Sequence, residues 1–166
     1  WDWDVSNSLG YNNFHFYGDK TFNASMGPAQ THFDDGGFSF FQNTTNLNLS
    51  KEFTKKFNLG VGAEFRYEDY KIFAGEPGSY SNYDEDKATG SQGFPGYQPN
   101  DVVNAQRRVL GAYADAEIDV TTDWLVNLAA RVENYSDFGF THNYKLATRY
   151  KASKDINIRA SVSTGF

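Results

Sequence analysis

FNLGVGAEFRYEDYKI, residues 57–72, is two interleaved patterns in one stretch. Phe57, Leu59, Val61, Ala63, Phe65 and Tyr67 hold one parity, and Asn58, Gly60, Gly62, Glu64, Arg66 and Glu68 hold the other. Side chains along a strand alternate between its faces. The stretch therefore predicts one long strand with an unbroken oily face and a hydrated, charged one.

The pattern recurs outward from there. Leu110, Ala112, Ala114, Ala116, Ile118 and Val120 oppose Arg107, Tyr113, Asp115, Glu117 and Asp119. Trp124, Val126, Leu128, Ala130 and Val132 oppose Asn127, Arg131 and Glu133. Tyr144, Leu146, Thr148 and Tyr150 oppose Lys145, Arg149 and Lys151, and Ile156, Ile158, Ala160 and Val162 oppose Asn157, Arg159, Ser161 and Ser163. Leu47, Leu49 and Phe53 form a weaker version, and a first strand falls near residues 5–16. Globular strands usually run about five or six residues, whereas a strand that crosses a membrane needs about nine to eleven. A two-residue period sustained over about ten residues is the signature of an outer-membrane barrel. The predicted fold is all-β, an antiparallel up-and-down meander of about seven strands that forms an arc of a transmembrane barrel with long extracellular loops.

Connections and aromatic residues point the same way. Short turns fall at Thr54 and Lys55, at residues 121–123 and at residues 153–155, and longer connections at 17–37, 73–104 and 137–143. Barrels of this kind keep short turns on the periplasmic side and long loops outside. Phe53, Phe57, Trp124 and Tyr150 sit beside the short turns, and Tyr67, Tyr70, Tyr135, Phe138, Phe140 and Tyr144 where strands enter long loops. Two such girdles suit rings that prefer the membrane interface.

Composition bounds the remainder. The chain has 166 residues, no cysteine and a formal net charge of −6. Disulfide frameworks and cysteine-ligated metals are excluded, and an acidic balance without a basic cluster argues against nucleic acid. The mean hydropathy of −0.64 reflects alternating faces that cancel within any window. The chain opens at Trp1 without a signal peptide, so an excised piece of a larger exported protein is expected. Seven strands cannot close a barrel whose strand number is even. Two open edges would remain, and self-association through them is expected.

No catalytic constellation emerges. Gly60-Val61-Gly62 starts like a dinucleotide-binding loop, but Phe65 stands where the last glycine belongs, and the segment lies within a strand. Those glycines fit relief of crowding on the lumen face or bending of the strand. No Gly-x-Ser-x-Gly elbow occurs, and His15, His32 and His142 lack metal-ligand spacing. Glu64, Arg66 and Glu68 read as an ion-pair ladder lining a lumen rather than catalytic carboxylates, with Asp115, Glu117, Arg131, Glu133 and Arg159 on the same wet surface. The long connection carries Tyr80, Tyr83, Phe94 and Tyr97, the candidate ligand contacts, because such rings stack on catechols or sugars. Asp34-Asp35 and Asp84-Glu85-Asp86 have oxygen ligands for Ca²⁺, but such runs are more often solvated acid patches, and no metal or other cofactor is expected. Sequons at Asn23, Asn43, Asn48 and Asn134 are accidental in a bacterial protein.

GAEFRYEDYKIFAGEPGSY at residues 62–80, FDDGGFSFFQNTTNLNLS at 33–50 and the run from Gln106 onward resemble barrel segments of TonB-dependent outer-membrane receptors. So does the closing Ser163-Thr164-Gly165-Phe166, which that family commonly continues with Arg-Ala-Pro. The resemblance implies the middle of a barrel of about twenty-two strands in the bacterial outer membrane, with its plug and TonB box upstream and absent here. It implies uptake of a scarce nutrient such as an iron–siderophore, cobalamin, haem or a glycan. The partners would be the lipid bilayer, the TonB complex through the missing plug, and a small ligand, an iron chelate among the options.

Two other functions remain open at this point. A secreted, soluble β-sandwich could bind carbohydrate with the same tyrosines, and a hydrolase could use an all-β scaffold but would lack a nucleophile. A sandwich would cover Leu110, Ala112, Ala114, Ala116 and Ile118 with a second sheet about 10 Å away. A barrel would leave that face to lipid.

Overall fold

Residues 1–165 are described by the computed structural model, and Phe166 of the closing Ser-x-Gly-Phe lies outside them. Seven strands form one sheet: β1 (Asp2–Asp19), β2 (His32–Thr54), β3 (Phe57–Phe73), β4 (Val103–Asp119), β5 (Trp124–Tyr135), β6 (Gly139–Lys151) and β7 (Asn157–Ser163). Their order in the sheet is their order in the chain, so the topology is an up-and-down meander. The order starts at β1 and stops at β7, and the sheet is open. Among the described residues, helix is confined to α1 (Pro77–Tyr80) and a 3-10 turn at Pro99–Asp101. The fold is the all-β barrel meander that the alternating pattern predicts.

Strand length follows from how far the alternation persists. β2 has 23 residues, β1 has 18, and β3 and β4 have 17 each. These exceed the nine to eleven or so that a membrane crossing requires. The polar stretch at residues 17–37, expected as one loop, is shorter than that: β1 continues to Asp19 and β2 begins at His32, which leaves 20–31 as the connection.

The register of β4 to β7 fixes the faces. Ala114 pairs with Ala130, and Ala130 with Tyr144. Ala116 pairs with Leu128, Leu128 with Leu146, and Leu146 with Val162. Residues directly opposite share a face, so these form one apolar surface. Tyr113↔Arg131↔Asn143 and Glu117↔Asn127↔Ala147 lie on the other. The two parities in the sequence are the two faces of the sheet.

The apolar face has no cover. Leu110 is 62% exposed, Leu128 47%, Ile158 57% and Val162 66%. Phe33 and Val109 are the buried apolar side chains among the described residues. A water-soluble sandwich would bury such a face against a second sheet, but all seven strands belong to one sheet. The soluble-sandwich alternative fails on this point.

One connection differs from expectation. The β5–β6 link, expected as a longer loop over residues 137–143, spans only 136–138. Gly139 adopts φ 90°, a left-handed conformation that suits glycine and lets the chain reverse tightly. Phe140, His142 and Tyr144 then alternate with Thr141 and Asn143 as strand residues paired to β5. Short and long connections therefore do not alternate strictly.

The chain divides into two compact units. The first comprises Trp1–Ser8, Asn43–Tyr67 and Arg107–Phe166, and holds the short turns. The second comprises Leu9–Gln42 and Glu68–Gln106, and holds the long connections at 20–31 and 74–102.

Candidate functional site

In the first unit the charged face is knitted together. Arg131 Nη2 lies 2.8 Å from Glu133 Oε1 and 3.2 Å from Glu64 Oε1, and Arg66 approaches Glu64 at 3.5 Å. Tyr135 donates its hydroxyl to Glu133 Oε2 at 3.1 Å. These four expected lumen residues meet as one network across strands. Asp115 is drawn elsewhere, accepting from the Asn127 amide at 2.6 Å. Arg159 stands directly opposite Arg149 on the same face, a like-charge pair that is unfavourable alone. Glu117 lies opposite Asn127. Glu68 belongs to the second unit and shares its side of β3 with Tyr70.

Gly62 on this face is there for room. A Cβ on it would fall 2.3 Å from the Tyr113 ring, whose hydroxyl donates to Asn48 Oδ1 at 2.9 Å. Gly60 has no such crowding, with its nearest neighbour at 3.9 Å. Relief of crowding therefore explains Gly62 and not Gly60.

The aromatic girdle near the short turns holds together. Trp1 meets Phe53 edge-on at 5.7 Å, Phe53 stacks with Phe57 at 5.6 Å, and Trp124 Nε1 donates to Thr148 at 2.8 Å. The second girdle is only partly on the apolar face. Phe140 and Tyr144 lie there, but Tyr135 sits opposite Val109 and bonds Glu133 on the charged face. Tyr70 packs toward Phe38 at 6.4 Å, on the side of β3 that Glu68 shares. Parity decides this, because a ring near a loop can occupy either face.

A cationic clamp closes the β5–β6 turn. Arg107 binds Asp137 Oδ2 through Nε at 2.9 Å and Nη2 at 2.6 Å, and lies over the rings of Tyr135 and Phe138, which stack at 4.1 Å. The Arg107 hydrogen bonds hold the Asp137 carboxyl below its usual range.

In the second unit the long connections are ordered by a small polar core that sequence reading missed. Asn23 is fully buried. Its amide donates to the carbonyls of Gly78 and Ser81 at 2.9 and 2.8 Å, and its Oδ1 accepts from the Ser25 hydroxyl at 2.7 Å. Buried Ser79 accepts at its carbonyl from the amides of Ser91 and Gly96. Glu76 and Tyr97 donate their amides to Asp34 and Asp35, which sews the loop onto the end of β2. The signal available was a cluster of small polar residues, and such clusters carry no period.

The candidate ligand contacts fall into different settings. Phe94 and Tyr97 pack edge-on at 5.7 Å, and both meet Phe16, at 5.5 and 6.3 Å. Tyr80 ends α1, and Tyr83 is exposed, with its backbone amide held by Ser25 Oγ at 3.1 Å. A cavity of about 400 Å³ opens beside Phe16, Thr21, Asp35, Gln92 and Phe94. Phe16 and Thr21 were not foreseen as cavity walls, because Phe16 read as the end of the first strand and Thr21 as part of the following loop.

The acid runs expected as solvated patches or calcium ligands have protein partners. Asp34 bonds His15 at 2.7 Å and the Gly36 amide at 2.8 Å. Asp35 lies at the loop end of β2, well beyond the ten or so residues of a membrane crossing counted from Thr54. Its burial pushes its carboxyl up, against the Ser91 hydroxyl that donates to it at 3.0 Å. A hydrogen bond from Lys87 lowers Asp84. Among the described residues, no three His, Asp or Glu side chains converge as a metal site.

No curated protein and no solved structure matches the chain. The family model described as TonB dependent receptor-like, beta-barrel matches residues 1–166. That family consists of receptors and transporters of the bacterial outer membrane, not of enzymes. With its membrane-length strands, its open apolar face and a match over its whole length, this chain belongs to the TonB-dependent receptor-like β-barrel family.

Proposed function

We propose that the chain is barrel wall of a receptor that imports a scarce nutrient across the bacterial outer membrane with energy relayed by TonB. The candidates carried by the family resemblance are an iron–siderophore, cobalamin, haem or a glycan. Residues 1–166 supply wall and loops, and the plug and TonB box lie elsewhere in the receptor.

The observation that carries this reading is the pairing of an uncovered apolar face with an interlinked charged one. Leu128, Leu146 and Val162 are exposed on one face, and Glu64, Arg66, Arg131 and Glu133 are linked on the other; in this reading the first meets lipid and the second lines a water-filled lumen. Glu68, Asp115, Glu117 and Arg159 extend the wet lining. A ligand passing such a wall meets paired charges that hold their geometry. Phe94 and Tyr97 are the contacts best placed for first capture, and Tyr80 and Tyr83 belong to the same loop.

Uptake of labelled iron–siderophore, cobalamin, haemin and maltooligosaccharide by cells expressing the receptor tests this, with and without TonB. Accumulation of one of them that falls to background without TonB is expected. TonB-independent accumulation, or none of any probe, contradicts the reading.

A further inference from the structure

The cavity beside Phe16 has walls of one electrostatic character. Its volume of about 400 Å³ lies within the range of small-molecule sites. Phe16 and Phe94 form a wedge in it, with centroids 5.5 Å apart and ring planes inclined at 48°. Both rings are partly exposed, and Tyr97 braces Phe94 from behind. Asp19 and Asp35 line the cavity, and no Lys or Arg does. The Thr21 hydroxyl is spent on the Gln92 carbonyl at 2.9 Å.

The surrounding unit carries the same sign. It holds ten Asp and Glu against three Lys and Arg, a net −7, whereas the other unit holds eleven against twelve, a net +1. The whole acidic excess of the chain is thus concentrated around the long connections. Ring faces are electron-rich, so the wedge and the carboxylates attract the same kind of group and repel anions. A neutral sugar could stack on the rings but would leave that charge unanswered. A ferric chelate with net negative charge would be opposed by it.

We propose that this cavity binds an organic cation: an ammonium or guanidinium group on an apolar body, seated in the Phe16–Phe94 wedge. Asp19, whose side chain is 70% exposed and whose Oδ1 lies 3.7 Å from the His32 imidazole, is its reachable counter-charge, and buried Asp35 lines the same cavity. The assignment rests on reading these loops as the capturing face of a receptor, and within the ligand classes proposed above it favours one that presents an ammonium or guanidinium group.

The test is calorimetric titration of the intact receptor in detergent micelles with four probes. These are benzyltrimethylammonium, its uncharged carbon isostere, a neutral trisaccharide and a ferric tricatecholate. The quaternary cation binds, its isostere binds about tenfold more weakly, and added salt weakens the cation. Phe94→Ala weakens the cation about three- to tenfold. Asp19→Asn, an exposed and conservative change, weakens it too and guards against misfolding of the first variant. Heat-modifiable migration on a gel verifies that each variant is folded. If the ferric chelate or the trisaccharide binds in a Phe94-dependent way and the cation does not, the cation assignment is overturned and the receptor reading stands. If folded receptor binds the cation equally with Phe94→Ala and Asp19→Asn, the site is overturned. If TonB-dependent uptake is absent for every probe, the receptor reading itself fails.

Discussion

Gly62 shows how a single missing side chain sets the polar face. Tyr113 lies across β3 to reach Asn48, and only a residue without a Cβ leaves that path free. Gly62→Ala is expected to lower stability by about 1–3 kcal/mol, the usual cost of overpacking, in urea unfolding from detergent micelles. Tyr113→Leu in the same chain should recover most of the loss, and no recovery would mean that the ring is not what the methyl strikes. Asp137 is a second residue whose behaviour follows from its partner. The Arg107 bonds lower its carboxyl from 3.8, so its contribution to folding is present above the unfolded value and is lost as pH falls through the folded one. Carboxyl NMR titration should place Asp137 below an ordinary aspartate, and Arg107→Ala should return it to the ordinary range.

At the scale of elements, an alternating strand presents two different faces, and in the proposed reading each has its own solvent. Leu128→Arg, on the apolar face of β5, is expected to cost about 2–4 kcal/mol if it lies near the bilayer midplane. Asn127→Arg, one residue away, places its charge beside Asp115 and should cost far less. Refolding into lipid vesicles from urea distinguishes them, and equal penalties would mean that the faces are not different. The loops depend on Asn23 instead. Asn23→Ala leaves the carbonyls of Gly78 and Ser81 unpaired and should loosen the unit by about 1–3 kcal/mol, seen as faster hydrogen exchange at the Ser91 and Gly96 amides. These two cases also explain what the sequence made legible. Strands β3 to β7 could be placed from the two-residue period alone, since a slip by one residue would invert every face. The tight turn at 136–138 was hidden because Ser136, Asp137 and Gly139 look like any loop. The Asn23 core was hidden because its partners, at Gly78, Ser79, Ser81 and Ser91, come together only in three dimensions. Glu64, Arg66, Arg131 and Glu133 were found from parity; Asp19 was missed because β1 runs further than its weak alternation indicated, and Phe16 because its partner Phe94 is 78 residues away in the chain.

For the molecule as a whole, the inside-out arrangement is the central property. Ordinary soluble domains bury their apolar side chains, whereas here polar Asn23, Ser79 and Ser91 are among the most buried and Leu110 and Val162 among the exposed. In the proposed reading the exposed apolar face meets hydrocarbon. The sheet presents two edges, at β1 and β7. Residues 1–166 hold no cysteine, so in a receptor with any cysteine outside them replaced, single spin labels can be introduced one position at a time along β5, from 125 to 132, after reconstitution into bilayers. Labels at 126, 128, 130 and 132 should collide with lipid-soluble oxygen, and labels at 127, 129 and 131 with a water-soluble nickel chelate. The reverse alternation, or equal access of both reagents at every position, would contradict the account.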